Sequence, residues 1–131
     1  MDRAMVLAST LHWSEIDDAG RVRDIACDPR QWGDVLLVRK DVPTSYHLAV
    51  VVDDALQGIT DVVRGQDLFA ATSIHRLLQC LLELPAPRYR HHPLIYDFHH
   101  YKLAKSRGSQ ALRALRAEGA TARDIYRRLG F

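Results

Sequence analysis

Cysteine and long apolar runs are scarce in this sequence. Both shortages limit the class of protein to which it can belong. Two cysteines occur among 131 residues, at Cys27 and Cys80, and neither belongs to a Cys-x-x-Cys pair. They are expected to be free thiols in a reducing compartment rather than parts of a disulfide framework. No apolar run approaches the roughly 20 residues that cross a bilayer. We therefore expect a cytoplasmic protein without a membrane span.

Familiar catalytic and metal-binding signatures are missing as well. The sequence contains no Gly-x-Gly-x-x-Gly fingerprint, no Walker loop and no Gly-x-Ser-x-Gly nucleophile turn. The pairs His91-His92 and His99-His100 look like zinc ligands, but no cysteine or ligand spacing joins them. Adjacent residues of a strand point to opposite faces, which disfavours a shared metal site at Asp53-Asp54. We predict no metal ligands, and no zinc site in particular.

Charge is unevenly distributed along the chain. The formal net charge is +2, but Tyr101–Phe131 holds eight Lys or Arg and two acids, which gives +6 and leaves −4 for the first hundred residues. Such a basic segment suits a polyanionic partner such as nucleic acid or a nucleotide phosphate. A solvated helix face explains the same charges about as well, so both interpretations stay open.

The stretch 46–67 organises the rest of the chain. Two apolar runs, Leu48–Val52 and Ile59–Val63, each stop abruptly at polar residues. Continuous apolar runs suit strands that are covered on both faces, as in parallel sheets flanked by helices. We therefore predict an α/β fold in which both runs are core strands. Ligands of such sheets gather beyond the carboxyl ends of strands, where Arg64 and Asp67 would lie.

Periodicity and turn residues predict the other elements. Apolar residues recur at three- and four-residue steps from Leu68 to Leu82, which predicts an amphipathic helix with Asp67 or Thr72 as N-cap and Pro85 as the stop. A strand at His92–Tyr96 would complete a right-handed crossover. The remaining predictions are a helix at 2–11, a loop at 12–20, strands at 21–26 and 35–38, helices at 110–117 and 122–129, and a cap at Thr121.

Arg64 and Tyr46 are candidate ligand-binding residues of the organising stretch. An arginine at the carboxyl end of a strand can hold a carboxylate in bidentate fashion, although an ion pair with Asp67 or Asp54 is an equally good local interpretation. Tyr46 precedes an apolar run and could donate a hydrogen bond to a ligand, or it could be a packed aromatic residue.

A basic loop follows the predicted sheet. Lys102, Lys105 and Arg107 lie within seven residues that end at Gly108. Point-charge lysines on such a loop can stabilise charge that develops on transferring phosphates. A solvated basic turn is the competing interpretation.

Several of these segments, in this order and spacing, resemble the second half of the catalytic domain of class I glutamyl-tRNA synthetases. The resemblance runs from about Trp13 to Gly108. The segments that carry it are Trp32–Val35, Arg39–Asp54, Gly58–Thr60, Val63–Leu68, Ala71-Thr72, Tyr89, His92–Ile95 and Lys102–Ser106. The implied fold is a partial Rossmann-type catalytic core followed by a short helical tail.

The resemblance also assigns roles to individual residues. Tyr46 and Arg64 match positions that hold the glutamate substrate. Lys102–Ser106 matches the mobile Lys-Met-Ser-Lys-Ser loop, which implies that Lys102 and Lys105 contact the phosphates during catalysis. The positions that match the ATP pocket are Asp67, Leu94, Ile95 and Lys105. ATP with its Mg²⁺ is thus an implied substrate.

Two departures from the family pattern affect what can be expected. Ala104 stands where the loop usually has a serine, which removes one hydroxyl but keeps both lysines. None of the seven histidines lies in the His-x-Gly-His motif of the family's first half. We therefore expect a connecting segment at 1–34, the second half of the nucleotide-binding catalytic domain at 35–108 with its loop at 102–106, and a helical tail at 109–131.

The implied activity is that of a ligase that activates glutamate with ATP. The short segment after Ser106 leaves no room for an anticodon-binding domain, as in the branch of this family that transfers glutamate to the queuosine base of tRNA(Asp). A chain without the first half is expected to be inactive by itself. It would need a separate N-terminal half, self-associate through exposed strands, or persist as a non-catalytic remnant or a nucleotide- or tRNA-binding module.

Overall fold

The computed structural model describes residues 11–97, 99–104 and 108–130. These residues form two compact units, which divide between His92 and Pro93. The first unit contains β1 (His12–Ile16), β2 (Val22–Ala26), a 3₁₀ helix (Pro29–Trp32), α1 (Tyr46–Leu56), β3 (Asp61–Gly65), a second 3₁₀ helix (Gln66–Leu68), α2 (Thr72–Leu81) and β4 (Arg88–His92). The second unit contains α3 (Leu112–Ala117) and α4 (Ala122–Leu129). The architecture is mixed α/β, as predicted.

The first unit is built on one four-stranded sheet with the order β2-β1-β4-β3. β1 and β2 pair in antiparallel fashion, whereas β4 runs parallel to both β1 and β3. The β3–α2–β4 crossover is therefore confirmed, although the observed β3 begins two residues after the predicted run. The register places Arg64 directly beside His91.

One predicted strand and one predicted loop were wrong, because polar side chains occupy the core face of the observed strands. The predicted strand at His92–Tyr96 lies four residues too late, since β4 spans Arg88–His92 and buries Tyr89 and His91 alternately. Residues 12–20 were predicted to be a loop, but β1 alternates Trp13 and Glu15 into the core. A buried glutamate and a buried histidine hide a two-residue period that apolar residues would have made plain.

The run Leu48–Val52 is part of helix α1 and not a core strand, which corrects the central prediction for this stretch. Ser45 caps the helix by accepting a hydrogen bond from the Leu48 amide at 3.5 Å. Val51 is buried, while the flanking valines are only half-buried. Short apolar runs fit a buried strand and a helix equally well, and tertiary packing overrides the weak helix propensity of valine.

Helix α2 is the centre of the packing in the first unit. Its Leu77 and Cys80 pack against the cluster that contains Trp13 and Tyr89. Ile74 and Leu78 pack with Val51 of α1 in a second cluster. The amphipathic helix was predicted correctly, but its cap was not. Ala71 occupies the N-cap position, Thr72 is the first helical residue, and Asp67 lies in the preceding 3₁₀ helix.

The segment 35–38 was predicted to be a strand, but it has no regular secondary structure. Val35 and Leu37 pack against the cluster of Val51, Ile74 and Leu78, and the Leu37 carbonyl accepts a hydrogen bond from the Ser45 amide at 2.9 Å. Apolar residues at alternate positions can thus cover two helices without joining a sheet.

In the second unit, two short helices follow a tight bridge between Tyr96 and Lys102. α4 has a capping box in which Thr121 and Asp124 satisfy each other's backbone amides, so the predicted Thr121 cap is confirmed. The described part of the chain contains no helix that is long and apolar enough to cross a membrane. The predicted helix at 2–11 falls almost entirely on residues outside the described ranges.

Because Val51 is buried between α1 and α2, we expect V51A to lower the free energy of unfolding by about 2 kcal/mol. Leu56 lies on the same helix but is 80% exposed, so L56A is the matched control and should change stability by less than about 0.5 kcal/mol. Urea denaturation followed by circular dichroism measures both. Equal effects of the two substitutions would contradict the burial of Val51 in the contact between α1 and α2.

Candidate functional site

The guanidinium of Arg64 forms the centre of a polar cluster. Its Nε donates to Nε2 of His91 at 3.1 Å, and its Nη1 lies 3.0 Å from Nδ1 of His75. Its Nη2 donates to Oγ1 of Thr72 at 2.8 Å and to the Leu68 carbonyl at 3.4 Å. All four acceptors are uncharged in this arrangement, so the guanidinium is held in place without a direct ion pair among these contacts.

The cluster lies at the carboxyl ends of two parallel strands. Arg64 is the penultimate residue of β3 and His91 the penultimate residue of β4, and the two are paired in register. Thr72 and His75 come from the first turn of α2. The ring of Tyr89 lies against the guanidinium, with 5.0 Å between the ring centroid and Cζ. The sheet and α2 together thus position the arginine.

Glu15 anchors the far side of His91. The Nδ1 atom of His91 lies 2.9 Å from Oε2 of Glu15, and the His91 amide donates to Oε1 at 2.9 Å. The indole Nε1 of Trp13 donates to the same carboxylate at 3.2 Å. Both His91 and Glu15 are buried. The cluster therefore contains one cation and one anion, separated by a single imidazole.

His75 connects the arginine to α1. Its Nε2 lies 3.0 Å from Nδ1 of His47. Burial lowers the pKa of His75 to about 3, and the charge of Arg64 adds to this effect. Burial also lowers the pKa of His91, against the opposing influence of Glu15. Both imidazoles that contact Arg64 are therefore neutral at pH 7.

Tyr46 adjoins the same cluster from the start of α1. Its ring makes edge contacts with His47 and His75, at centroid distances of 5.6 and 5.8 Å, and 52% of the residue is exposed. The structure thus brings both predicted glutamate-binding residues, Tyr46 and Arg64, into contact with one imidazole. Because half of the residue is exposed, the phenol of Tyr46 is accessible to a ligand.

The residues predicted to bind ATP lie in both units. Asp67 is an exposed residue of the 3₁₀ helix in the first unit. In the second unit, Leu94 is half-buried, Ile95 is exposed and accepts a hydrogen bond from the Leu103 amide at 2.9 Å, and Lys102 pairs with Tyr96. Lys105 lies outside the described residues. The role of each stays a prediction.

The partners of Arg64 were missed by the sequence interpretation. His75 and Glu15 occupy core positions of an amphipathic helix and of an alternating strand, and His91 was considered only as one half of a histidine pair without zinc-ligand spacing. A charged or titratable residue at a core position of a helix or strand was the one available signal. The pairing itself was not readable, because Glu15 and His91 are 76 residues apart.

Possible metal ligands, the two cysteines and the pair Asp53-Asp54 are other candidate reactive groups. Within the described ranges, no group of three or more His, Cys, Asp or Glu is placed to hold a metal ion. Both cysteines are free, as predicted. Burial raises the pKa of Cys27 to about 11, which keeps the thiol protonated. Asp53 and Asp54 lie on α1, and burial raises the pKa of Asp54 while Arg64 opposes the shift.

We expect the protein to lose stability on acidification because of His75. Its folded pKa of about 3 lies below the ordinary value of 6.5, so the unfolded chain binds more protons between these values. The stabilisation is present above pH 6.5 and is lost as the pH falls towards 3, amounting to about 2 kcal/mol between pH 7 and pH 5.

Urea titrations of the parent and of H75N at a series of pH values measure this dependence. The free energy of unfolding of H75N should fall less steeply on acidification than that of the parent. H100N is the control, because His100 is exposed and has a left-handed backbone conformation. Its pH dependence should equal that of the parent. A parent protein that is as stable at pH 5 as at pH 7 would contradict the prediction.

Comparisons with known proteins identify the family of this chain. Residues 12–130 match the family model for the catalytic domain of class I tRNA synthetases (E and Q). A glutamyl-Q tRNA(Asp) synthetase of Rhodobacter capsulatus is 50% identical over 118 residues, which are 90% of this chain and 40% of the relative. A protein of the same name from Xanthomonas oryzae pv. oryzae is 54% identical over 99 residues, 73% of this chain and 32% of the relative.

Solved structures show the same fold. A glutamate tRNA ligase from Elizabethkingia meningosepticum, crystallised in complex with its amino acid, matches with a TM-score of 0.57 and 27% identity over 75% of this chain and 19% of its own. The chain spans about 40% of the length of the Rhodobacter relative. The resemblance read from the sequence motifs is confirmed, and the chain belongs to the class I tRNA synthetases (E and Q), within their catalytic domain.

Proposed function

We propose that this chain contributes to ATP-dependent activation of glutamate and to its transfer to the queuosine base of tRNA(Asp). The observation that carries the proposal is the Arg64 guanidinium at the carboxyl ends of β3 and β4, with the half-exposed Tyr46 in contact with its neighbour His75. The names of the relatives supply the substrate class. ATP and tRNA as substrates imply a cytoplasmic location.

Arg64 would attract a carboxylate of glutamate, and Tyr46 would donate a hydrogen bond to it. Four of the five N–H groups of an arginine side chain are occupied by the contacts described above, and the remaining one is on Nη1. A carboxylate would therefore be held by this N–H and by the positive charge. A bidentate contact would require it to displace one of the neutral acceptors.

The reaction has two steps. A carboxylate oxygen of glutamate attacks the α-phosphorus of ATP, and pyrophosphate leaves with the electron pair of the broken bond. A nucleophile of the modified tRNA then attacks the activated carbonyl, and AMP leaves. Asp67, Leu94 and Ile95 would line the ATP site, and Lys102 and Lys105 would stabilise the phosphate charge. The Mg²⁺ that accompanies ATP is part of the substrate in this proposal.

The proposal is tested by glutamate-dependent exchange of pyrophosphate into ATP. Because the chain spans 40% of the Rhodobacter relative, the assay is run with the chain alone and with the part of that relative that the chain does not match. We expect exchange in the mixture. If the protein is a non-catalytic remnant, exchange is absent under both conditions.

Arg64 is tested in the same assay by R64K. This change keeps the charge but removes the planar donors, and we expect exchange to fall by about 100-fold. R88K is the matched control, because Arg88 is exposed and makes a surface ion pair with Asp61, and it should stay within about twofold of the parent. Equal rates in R64K and the parent would exclude Arg64 from the glutamate site.

A second candidate function is electrostatic binding of tRNA by the second unit. Five arginines on or beside α3 and α4 are exposed, namely Arg113, Arg116, Arg123, Arg127 and Arg128. Phosphate contacts of this kind release counterions, so the affinity falls linearly with salt on logarithmic axes. The exposed arginines support an RNA-binding face for this unit whether or not the chain activates glutamate.

The salt dependence of tRNA affinity tests this candidate. Replacing Arg123 and Arg128 by glutamine should reduce the slope by about 1.5, since each lost phosphate contact removes roughly 0.7 to 0.9. Filter binding or fluorescence anisotropy between 50 and 200 mM salt measures it, with the exposed pair R21Q and R23Q of the first unit as control. A flat salt dependence in the parent protein would exclude phosphate contacts.

A further inference from the structure

Arginine imposes a strict rule on its neighbours, because its side chain only donates hydrogen bonds. Every atom that faces the Arg64 guanidinium at hydrogen-bond distance must therefore accept. Nδ1 of His75 and Nε2 of His91 both occupy such positions, at 3.0 and 3.1 Å. Each imidazole is thus required to leave its Arg64-facing nitrogen without a proton.

The rule fixes a different tautomer for each histidine. A neutral His75 that accepts at Nδ1 carries its proton on Nε2, which then donates to Nδ1 of His47 at 3.0 Å. A neutral His91 that accepts at Nε2 carries its proton on Nδ1, which donates to Glu15 at 2.9 Å. The outer partners, His47 and Glu15, are placed where these tautomers need acceptors.

We propose that His75 and His91 are positioning residues that hold the Arg64 guanidinium between two neutral imidazoles of opposite tautomer, Nε2–H for His75 and Nδ1–H for His91. The inference deepens the proposed function, since it rests on Arg64 as the carboxylate-binding group. His75 holds the Nη1 edge from α2, and His91 holds the Nε edge from β4. Two elements thus fix the plane of the guanidinium.

Protonation of either imidazole would break this arrangement. It would place an N–H against an N–H of Arg64 and add a second positive charge at about 3 Å. The other charged or titratable groups that act on the cluster are Glu15, His47, Asp54, Tyr89 and His92. Glu15 is the anion that touches His91 directly, and its contact is to the Nδ1 side.

The tautomers can be read directly from the chain by long-range ¹H–¹⁵N correlation spectra of the imidazoles at pH 7. We expect His75 to be protonated on Nε2 alone and His91 on Nδ1 alone. Equal tautomers, or a doubly protonated ring at either position, would overturn the inference. This measurement does not depend on glutamate binding or on activity.

Substitution of His75 and His91 by asparagine or glutamine tests which ring nitrogen accepts the hydrogen bond from Arg64. The oxygen of asparagine can take the place of Nδ1, and the oxygen of glutamine can take the place of Nε2. H75N and H91Q therefore keep an acceptor against Arg64, whereas H75Q and H91N do not. We expect the Nε–H signal of Arg64 to stay protected from solvent exchange in H91Q and to lose protection by about tenfold or more in H91N.

The same four variants separate positioning from simple packing in the exchange assay. H75N and H91Q should keep the KM for glutamate within about threefold of the parent, while H75Q and H91N raise it by roughly tenfold with a smaller change in kcat. A packing role would give both positions the same preference for one amide, and that result would overturn the inference. If the parent shows no exchange, the proposed function fails while the spectra still decide the tautomers.

Discussion

The half-buried guanidinium of Arg64 is the constraint on which the rest of the first unit depends. A cation among buried groups is costly unless its donors are met by acceptors. Here the acceptors come from β4, from the first turn of α2 and from the carbonyl that precedes it. This requirement explains why two histidines and a threonine, and not leucines, face the sheet at this level. The two histidines and the threonine therefore serve to hold one positive charge, that of Arg64.

The parts of the fold that were predictable have signals that are local in sequence. The apolar period of α2 and the β-branched run of β3 identified the crossover, and the Thr121-Asp124 box identified the start of α4. The run Leu48–Val52 led to the wrong prediction of a strand, because consecutive apolar residues fit a covered strand as well as a packed helix. Its capping serine, Ser45, was the feature that favoured the helix.

Two residues of the candidate site, Arg64 and Tyr46, were singled out from the sequence, and their partners were not. Arg64 and Tyr46 are visible because they flank apolar segments, whereas their supports lie on elements that are distant in sequence. Glu15 reaches His91 across 76 residues and Arg64 reaches His91 across 27. Periodicity describes which face a residue occupies, but not which residue of another element it meets. The resemblance to a family supplied roles for Arg64 and Tyr46 and none for the histidines.

The residues that contact Arg64 show which part of the chain orients its guanidinium. Every hydrogen-bond partner described for the guanidinium comes from the first unit, between Leu68 and His91, and the second layer is completed by Glu15 and His47. The orientation of Arg64 is thus determined within a stretch of fewer than eighty residues. The described partners that orient Arg64 all lie within this chain, which matches 40% of the Rhodobacter relative's length. Under the proposed function, a binding partner of this chain would add further contacts to glutamate, because the described partners of Arg64 already orient its guanidinium.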